Sequence, residues 1–173
     1  MAGELQLGGT TLATHTGSGA SARINLDSGL VFPAGHVIDF KSSIMSSEIS
    51  GVTADTWVGT GLSINITPKY TNSKMVIWCS VGTSVGATVY HHALRVRRTG
   101  PATTDLHIHS AYTNVGYSVG LSSYTVTDLP NTDDTQCTYE LYHYVDNQTT
   151  SHFFNYDSNF ASNASMLLME IKQ

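Results

Sequence analysis

The residues best able to do chemistry in this 173-residue sequence are its eight histidines. The stretch "LHIHS" sets His107 and His109 two positions apart. On a β-strand that spacing puts both rings on one face, about 6–7 Å apart. Two imidazoles are too few to close a metal site. Three copies of the pair around a threefold axis would supply six, enough for an octahedral iron or nickel centre. The plainer alternative is a solvent-facing strand in a Thr-rich region. His91 and His92 are neighbours, so on a strand they point to opposite faces and do not readily share an ion. His92, beside Leu94 and Val96, reads as a packed side chain. His143 and His152 lie on separate candidate strands with no acid at a fixed spacing.

Hydrolytic signals are weaker still. "TGSGA" at 16–20 lacks the glycine spacing and the strand–turn–helix setting of a nucleophile elbow. Asp133 and Asp134 fall in "DLPNTDD", which turn chemistry explains better than paired carboxylates do. Cys79 and Cys137 each sit within an apolar strand pattern and read as reduced core residues. The residues point to no enzyme and to no cofactor.

Stepping out to the whole chain, charged residues are 12% against the usual ~25%. The polar surface is instead rich in hydroxyls, with 20 Ser and 22 Thr. The formal net charge is −5, and Arg95, Arg97 and Arg98 form the one basic cluster. A nucleic-acid binder needs a broad positive face, so that class is excluded. No apolar run approaches a membrane span, and the N-terminus lacks a basic-then-apolar signal region. Synthesis in a cytoplasm without membrane insertion is the expectation.

Val, Ile, Thr, Tyr and Phe recur, and no stretch keeps a capped helical period. The pattern predicts strands at 36–41, 56–58, 62–67, 74–81, 88–97, 105–112, 117–127, 135–145, 151–155 and 164–172, with turn signals between them. The fold expected is all-β, an antiparallel β-sandwich (jelly roll) over 37–173, preceded by an extended N-terminal arm over 1–36. The arm is rich in Gly, Ser and Thr and too poor in apolar residues to form a core alone. Leu5, Leu7, Leu12, Leu26, Leu30 and Phe32 suit it to lying along another protein. A flexible linker is the alternative.

Two strands are apolar on both faces. In 75–81, Met75, Ile77, Cys79 and Val81 alternate with Val76 and Trp78. In 165–171, Leu167, Met169 and Ile171 alternate with Met166 and Leu168. A sheet with one side in water needs one apolar face only, so the second calls for a cover. A second copy of the chain is the natural cover; a third layer is the plainer one. Val76, Trp78, Met166 and Leu168 are the candidate contact set.

"TWVGTGLSINITPKYTNSKMVIWCSV" resembles a series in phage tail-fibre and virion structural proteins that carry a trimeric jelly roll of the C1q/TNF type. That series runs Trp, T-G-L, an alternating strand, I-T-P, S-K and an apolar strand. "HHALRVRRTG" is similar to that family's strand ending in an Arg-containing turn, although richer in histidine. "VTDLPNTDDTQCTYELYHY" is similar to its Asp-Pro turn and long Tyr-containing strand, and "ASMLLMEIKQ" to its closing strand. "GLVFPAGHVI" resembles the junction before such domains. The likeness covers roughly residues 37 to 173, and the order of the motifs carries it.

The resemblance implies a non-enzymatic homotrimer in the virion. It implies a tail fibre or knob, docked on other phage proteins by the arm and contributing to host attachment. The absence of a long shaft favours the alternative, a capsid decoration trimer, either cement or head fibre, that stabilises the shell. A host surface glycan or protein is a further partner. Tyrosines such as Tyr112, Tyr117, Tyr124 and Tyr156 are candidate contact aromatics, but no residue is assigned to receptor binding. Tyr142 and Tyr144 share one strand face and equally suit covering a sheet.

Overall fold

In the computed structural model every regular element among the described residues is a β-strand. Residues 3–7, 10–16, 23–26, 33–47, 49–50, 54–85, 90–113, 118–146, 152–154 and 163–173 are described. The chain divides into two compact units, Met1–Pro33 and Ala34–Gln173. The break falls within the change in composition at Pro33 to His36, three residues before the expected boundary. Two hydrogen bonds explain why: Gly35 N donates to Lys172 O (2.7 Å), and Lys172 N donates to His36 O (3.0 Å). Residues 34–36 are thereby stitched to the C-terminal end of the larger unit.

The first unit consists of extended strands that pair with one another: β1 (Gly3–Leu7), β2 (Thr10–Thr16) and β3 (Arg23–Leu26), in the order β1-β2-β3. Leu5 and Leu26 both stand opposite Ala13, which is buried.

The second unit holds β4 (Val37–Met45), β5 (Ile49–Ser50), β6 (Val58–Ile66), β7 (Lys74–Val85), β8 (Tyr90–Thr99), β9 (Thr104–Thr113), β10 (Ser118–Asp128), β11 (Cys137–Val145), β12 (His152–Phe154) and β13 (Ala164–Ile171). One sheet runs β4-β13-β7, with β10 on the other side of β7 and the short β12 and β5 continuing from it; the second runs β6-β11-β8-β9. All pairs are antiparallel. Take the long strands β4, β6, β7, β8, β9, β10, β11 and β13 in chain order. First pairs with last, second with seventh, third with sixth and fourth with fifth. That nesting is the jelly-roll connection, as the sequence pattern predicts.

The core lies between the two sheets. Leu62, Ile64 and Ile66 of β6 meet Met75, Ile77 and Cys79 of β7, with Leu94, Val96, Tyr139, Leu141 and Met166 in the same cluster. Strand alternation produces this: along β11, Cys137, Tyr139, Leu141, His143 and Val145 are buried while the residues between them are half-buried. The two short strands expected at 56–58 and 62–67 are one. The chain runs on through Gly59 and Gly61, with an irregularity opposite Glu140–Tyr142. Gly61 takes φ +78°, a conformation open to glycine at little cost.

Candidate functional site

The sheet β4-β13-β7-β10 has an outer face of apolar side chains interleaved with Ser and Thr, which no element among the described residues covers. Strand register builds it in rows. Phe40, Met169 and Val76 form one row, and Ser42, Leu167, Trp78 and Thr125 the next. Ile44, Ser165, Ser80 and Ser123 form the third. Phe40 is 56% exposed, Ile44 70% and Trp78 50%. A hollow of about 410 Å³ opens among Ser42, Ile44, Trp78, Ser80, Ser165 and Leu167. The indole is held across the sheet, because Trp78 Nε1 donates to Ser123 Oγ at 2.6 Å. Apolar side chains fixed in this way present a surface for packing, with the Ser42, Ser80 and Ser165 hydroxyls set among them.

The expected contact set divides. Val76 is half-buried and Trp78 exposed, both on the outer face. Met166 and Leu168 are not on it: they are 1% and 0% exposed and pair with Cys79 and Ile77 in the core file. The β13 residues facing outward are Leu167 and Met169. Sequence alternation alone could not choose between the two files, since both are apolar, and the charge of Glu170 argues for the wrong one. Glu170 shares the file of Met166 and Leu168 and is fully buried. Its Oε1 accepts from Lys69 N (2.6 Å) and Ser73 Oγ (2.5 Å), which fastens the β6–β7 turn. Phe40 and Ile44 complete the outer face; the sequence pattern places Phe40 in a strand over 36–41 and stops short of Ile44, whereas β4 runs on to Met45.

His107 and His109 lie on β9, an edge strand, with the backbone of His109 opposite Leu94. Their side chains lie outside the described residues. Among the described residues no three His, Cys, Asp or Glu side chains gather as for a metal ion. Of the arm residues, Leu5 and Leu7 fall on β1, Leu12 on β2 and Leu26 on β3; Leu30 and Phe32 lie outside the described residues, as does Tyr156. Cys79 and Cys137 are free and buried. Burial pushes the Cys79 thiol up to about 12, against a smaller lowering by the Tyr124 hydroxyl.

A second cluster covers the outer face of β6-β11-β8-β9. The Arg95 guanidinium lies 4.1 Å from the Trp57 ring centre and 5.4 Å from that of Tyr142; Arg97 lies 4.8 Å from Tyr142. Trp57 and Tyr144 meet at 5.2 Å, and Tyr144 donates to Asp55 Oδ1 at 3.1 Å. Asp105 accepts from Arg95 Nη1 (2.8 Å) and from Arg97 Nε (2.7 Å) and Nη2 (3.2 Å). Those bonds, the Arg97 one foremost, hold the Asp105 carboxyl below the usual range and the Arg97 guanidinium above its own; burial pulls Arg95 down. The alternating Tyr142/Tyr144 and Arg95/Arg97 pairs are the sequence signal of this cluster, read there as sheet cover and as a basic cluster.

Deeper, Asp128 Oδ2 accepts from the Tyr139 hydroxyl (2.8 Å) and forms an ion pair with Arg98 Nε (2.8 Å), both charged side chains being 8% exposed. The arrangement is a plug at the sandwich end.

No family model matches the sequence, and no curated protein matches it. Solved structures do. The structure of infectious bursal disease virus, Gx strain, aligns at 11% identity with TM-score 0.45, over 94% of this chain and 48% of that one. The D431N mutant VP2 protein of the same virus aligns at 11% identity with TM-score 0.46, over 86% and 40%. A CBM4 structure aligns at 10% identity with TM-score 0.26, over 75% and 89%. The chain spans about half the length of the first of these, or less.

Proposed function

We propose that the chain is a non-enzymatic structural protein of a phage particle. On this reading it is a homotrimeric tail fibre or knob that docks through its N-terminal unit and contributes to host attachment. The observation that carries the proposal is the row of apolar side chains on the outer face of β4-β13-β7-β10, which no element among the described residues covers. Exposed Phe40, Ile44 and Trp78, in rows with Met169, Val76 and Leu167, suit a contact between copies. The ordered motif resemblance supplies the threefold symmetry and the virion setting. The N-terminal unit supports docking, because β1 and β3 each pair on one side only among the described residues, leaving edges to which a neighbouring virion strand can add.

Light scattering of the purified chain at micromolar concentration tests the trimer; a folded monomer sinks it. Counting copies in purified particles by quantitative mass spectrometry tests the position. A few to a few dozen copies fit a tail fibre. Hundreds fit the second reading, a capsid decoration trimer, and absence from particles rejects both.

A further inference from the structure

The hollow on the β4-β13-β7-β10 face is made by a step in side-chain size. Outward along β13 the chain reads Met169, Leu167, Ser165; outward along β7 it reads Val76, Trp78, Ser80. Both files reach a serine in the row of Ile44. Ile44 has Ser165 as its cross-strand neighbour and stays 70% exposed. The space left, about 410 Å³, has Ile44 and Trp78 as its walls and Leu167 beside them. The bond from Trp78 Nε1 to Ser123 Oγ keeps the indole from closing over it.

The same face selects what fills the hollow. None of the side chains in its three rows is charged. Copies of a chain with formal net charge −5 repel one another across charged surface, so an uncharged face is where like can meet like. The face also carries a protruding aromatic. Of the large apolar side chains that are mostly exposed, Ile44 and Trp78 already wall the hollow, while Val37 and Leu129 lie outside the three rows. Phe40 remains, 56% exposed on edge strand β4. It stands roughly 13 Å along that strand from Ile44, too far to fill its own hollow.

We infer that Phe40 of one copy enters the hollow of the next, an inference that rests on the trimer reading for its occupant. In a closed trimer each copy gives one phenyl group and receives one, and the contact saturates when the assembly closes. The phenyl face packs on Leu167 and the indole, and its electropositive edge meets the serine oxygens. Serines at 42, 80 and 165, set into a face otherwise built from Phe, Met, Val, Leu and Trp, then have a role: they leave the room that the phenyl group takes.

The test measures assembly of the full chain by sedimentation velocity over a range of concentrations, with circular dichroism to confirm the fold of each variant. Phe40→Ala removes the knob from an exposed position and should raise the concentration at half-assembly by about thirtyfold or more. Ser165→Phe fills the hollow from within its own copy and should weaken assembly likewise. The double variant has a filled hollow and no knob to clash with it, so it should assemble better than either single variant. A double variant no better than the single ones overturns the inference. If Ser165→Phe does not fold, Ser165→Leu takes its place in the same comparison. Trp78 emission, read in a Trp57→Phe protein, should move to shorter wavelength on assembly; an unmoved emission overturns the inference. A wild-type oligomer that Phe40→Ala leaves intact refutes the knob only. A monomeric wild type refutes the trimer reading, and the knob with it.

Discussion

Leu167 stands directly opposite Trp78 across the β13–β7 ladder, on the face that no element of the described chain covers. Leu168, the next residue, pairs with Ile77 and is wholly buried. Two leucines adjacent in sequence therefore answer to different partners, and the same substitution must fail in different ways. Leu168→Asp buries a charge in the core and should cost more than about 4 kcal/mol, enough to unfold most domains of this size. Leu167→Asp should leave circular dichroism and melting of the subunit near wild type while light scattering reports dissociation. A Leu167→Asp protein that stays trimeric removes this face from the contact.

The ion pair of Arg98 with Asp128 is a second site where one atom group matters. Asp128→Ala leaves the buried Arg98 charge without its partner and the Tyr139 hydroxyl without its acceptor. Removing one partner of such a pair costs about 3–5 kcal/mol. Urea unfolding should show that loss as a lower midpoint at unchanged slope. A change below about 1 kcal/mol would mean that water reaches Arg98 in solution.

Much of this fold is legible in the sequence, and the reasons are local. Strand alternation at 62–67, 74–81 and 135–145 points to β6, β7 and β11, because burial on one side and water on the other imposes a period of two. The facing of β13 is not legible, because Leu167 and Met169 are as apolar as Met166 and Leu168. Only the pairing to β7, together with the bonds of the Glu170 Oε1 to Lys69 N and Ser73 Oγ, chooses between the files. The Trp57–Arg95–Tyr142 stack escapes for another reason: Trp57 just precedes β6, Arg95 lies on β8 and Tyr142 on β11, and only the β6-β11-β8 order brings them together.

Thiol chemistry gives a prediction that separates reduced core cysteines from a labile disulfide. Burial raises the Cys79 thiol to about 12 and raises Cys137 as well, so neither forms thiolate readily in the folded chain. Iodoacetamide at pH 8 should leave both unmodified in the native protein and modify both in urea without any reductant. Rapid native alkylation at either position would show that the core opens there.

Acid should weaken the aromatic face first. The folded-state pKa of Asp105 lies below its unfolded value of about 3.9. Its contribution is therefore complete above that value and is lost as pH falls through the folded pKa. Asp105 is 36% exposed, so solvent screening keeps the contribution to about 1 kcal/mol or less. Tryptophan fluorescence of a Trp78→Phe protein reports Trp57, whose ring carries Arg95. Its acid transition below pH 4 should flatten in Asp105→Asn. An identical transition in that variant would place the titrating group elsewhere.

The N-terminal unit gives the most direct test of docking. Met1–Pro33 forms its own three-stranded sheet, whereas Gly35 and His36 are hydrogen-bonded to Lys172 in the larger unit. A deletion ending at Pro33 keeps those two bonds; one that also removes residues 34–36 breaks them. Each lost bond is worth about 0.5–1.5 kcal/mol, so the longer deletion should melt measurably lower than the shorter one. Neither deletion removes a residue of the β4-β13-β7-β10 face, so on the proposed trimer reading both variants should still assemble. If the arm docks the protein, three copies act together, and effective concentration turns weak single contacts into lasting attachment. Particles assembled with the shorter deletion should then lack the protein, as read by mass spectrometry of the purified virions. Wild-type copy number in those particles would show that the anchor lies in residues 34–173. A deletion that fails to fold would show instead that the small sheet is part of the larger core.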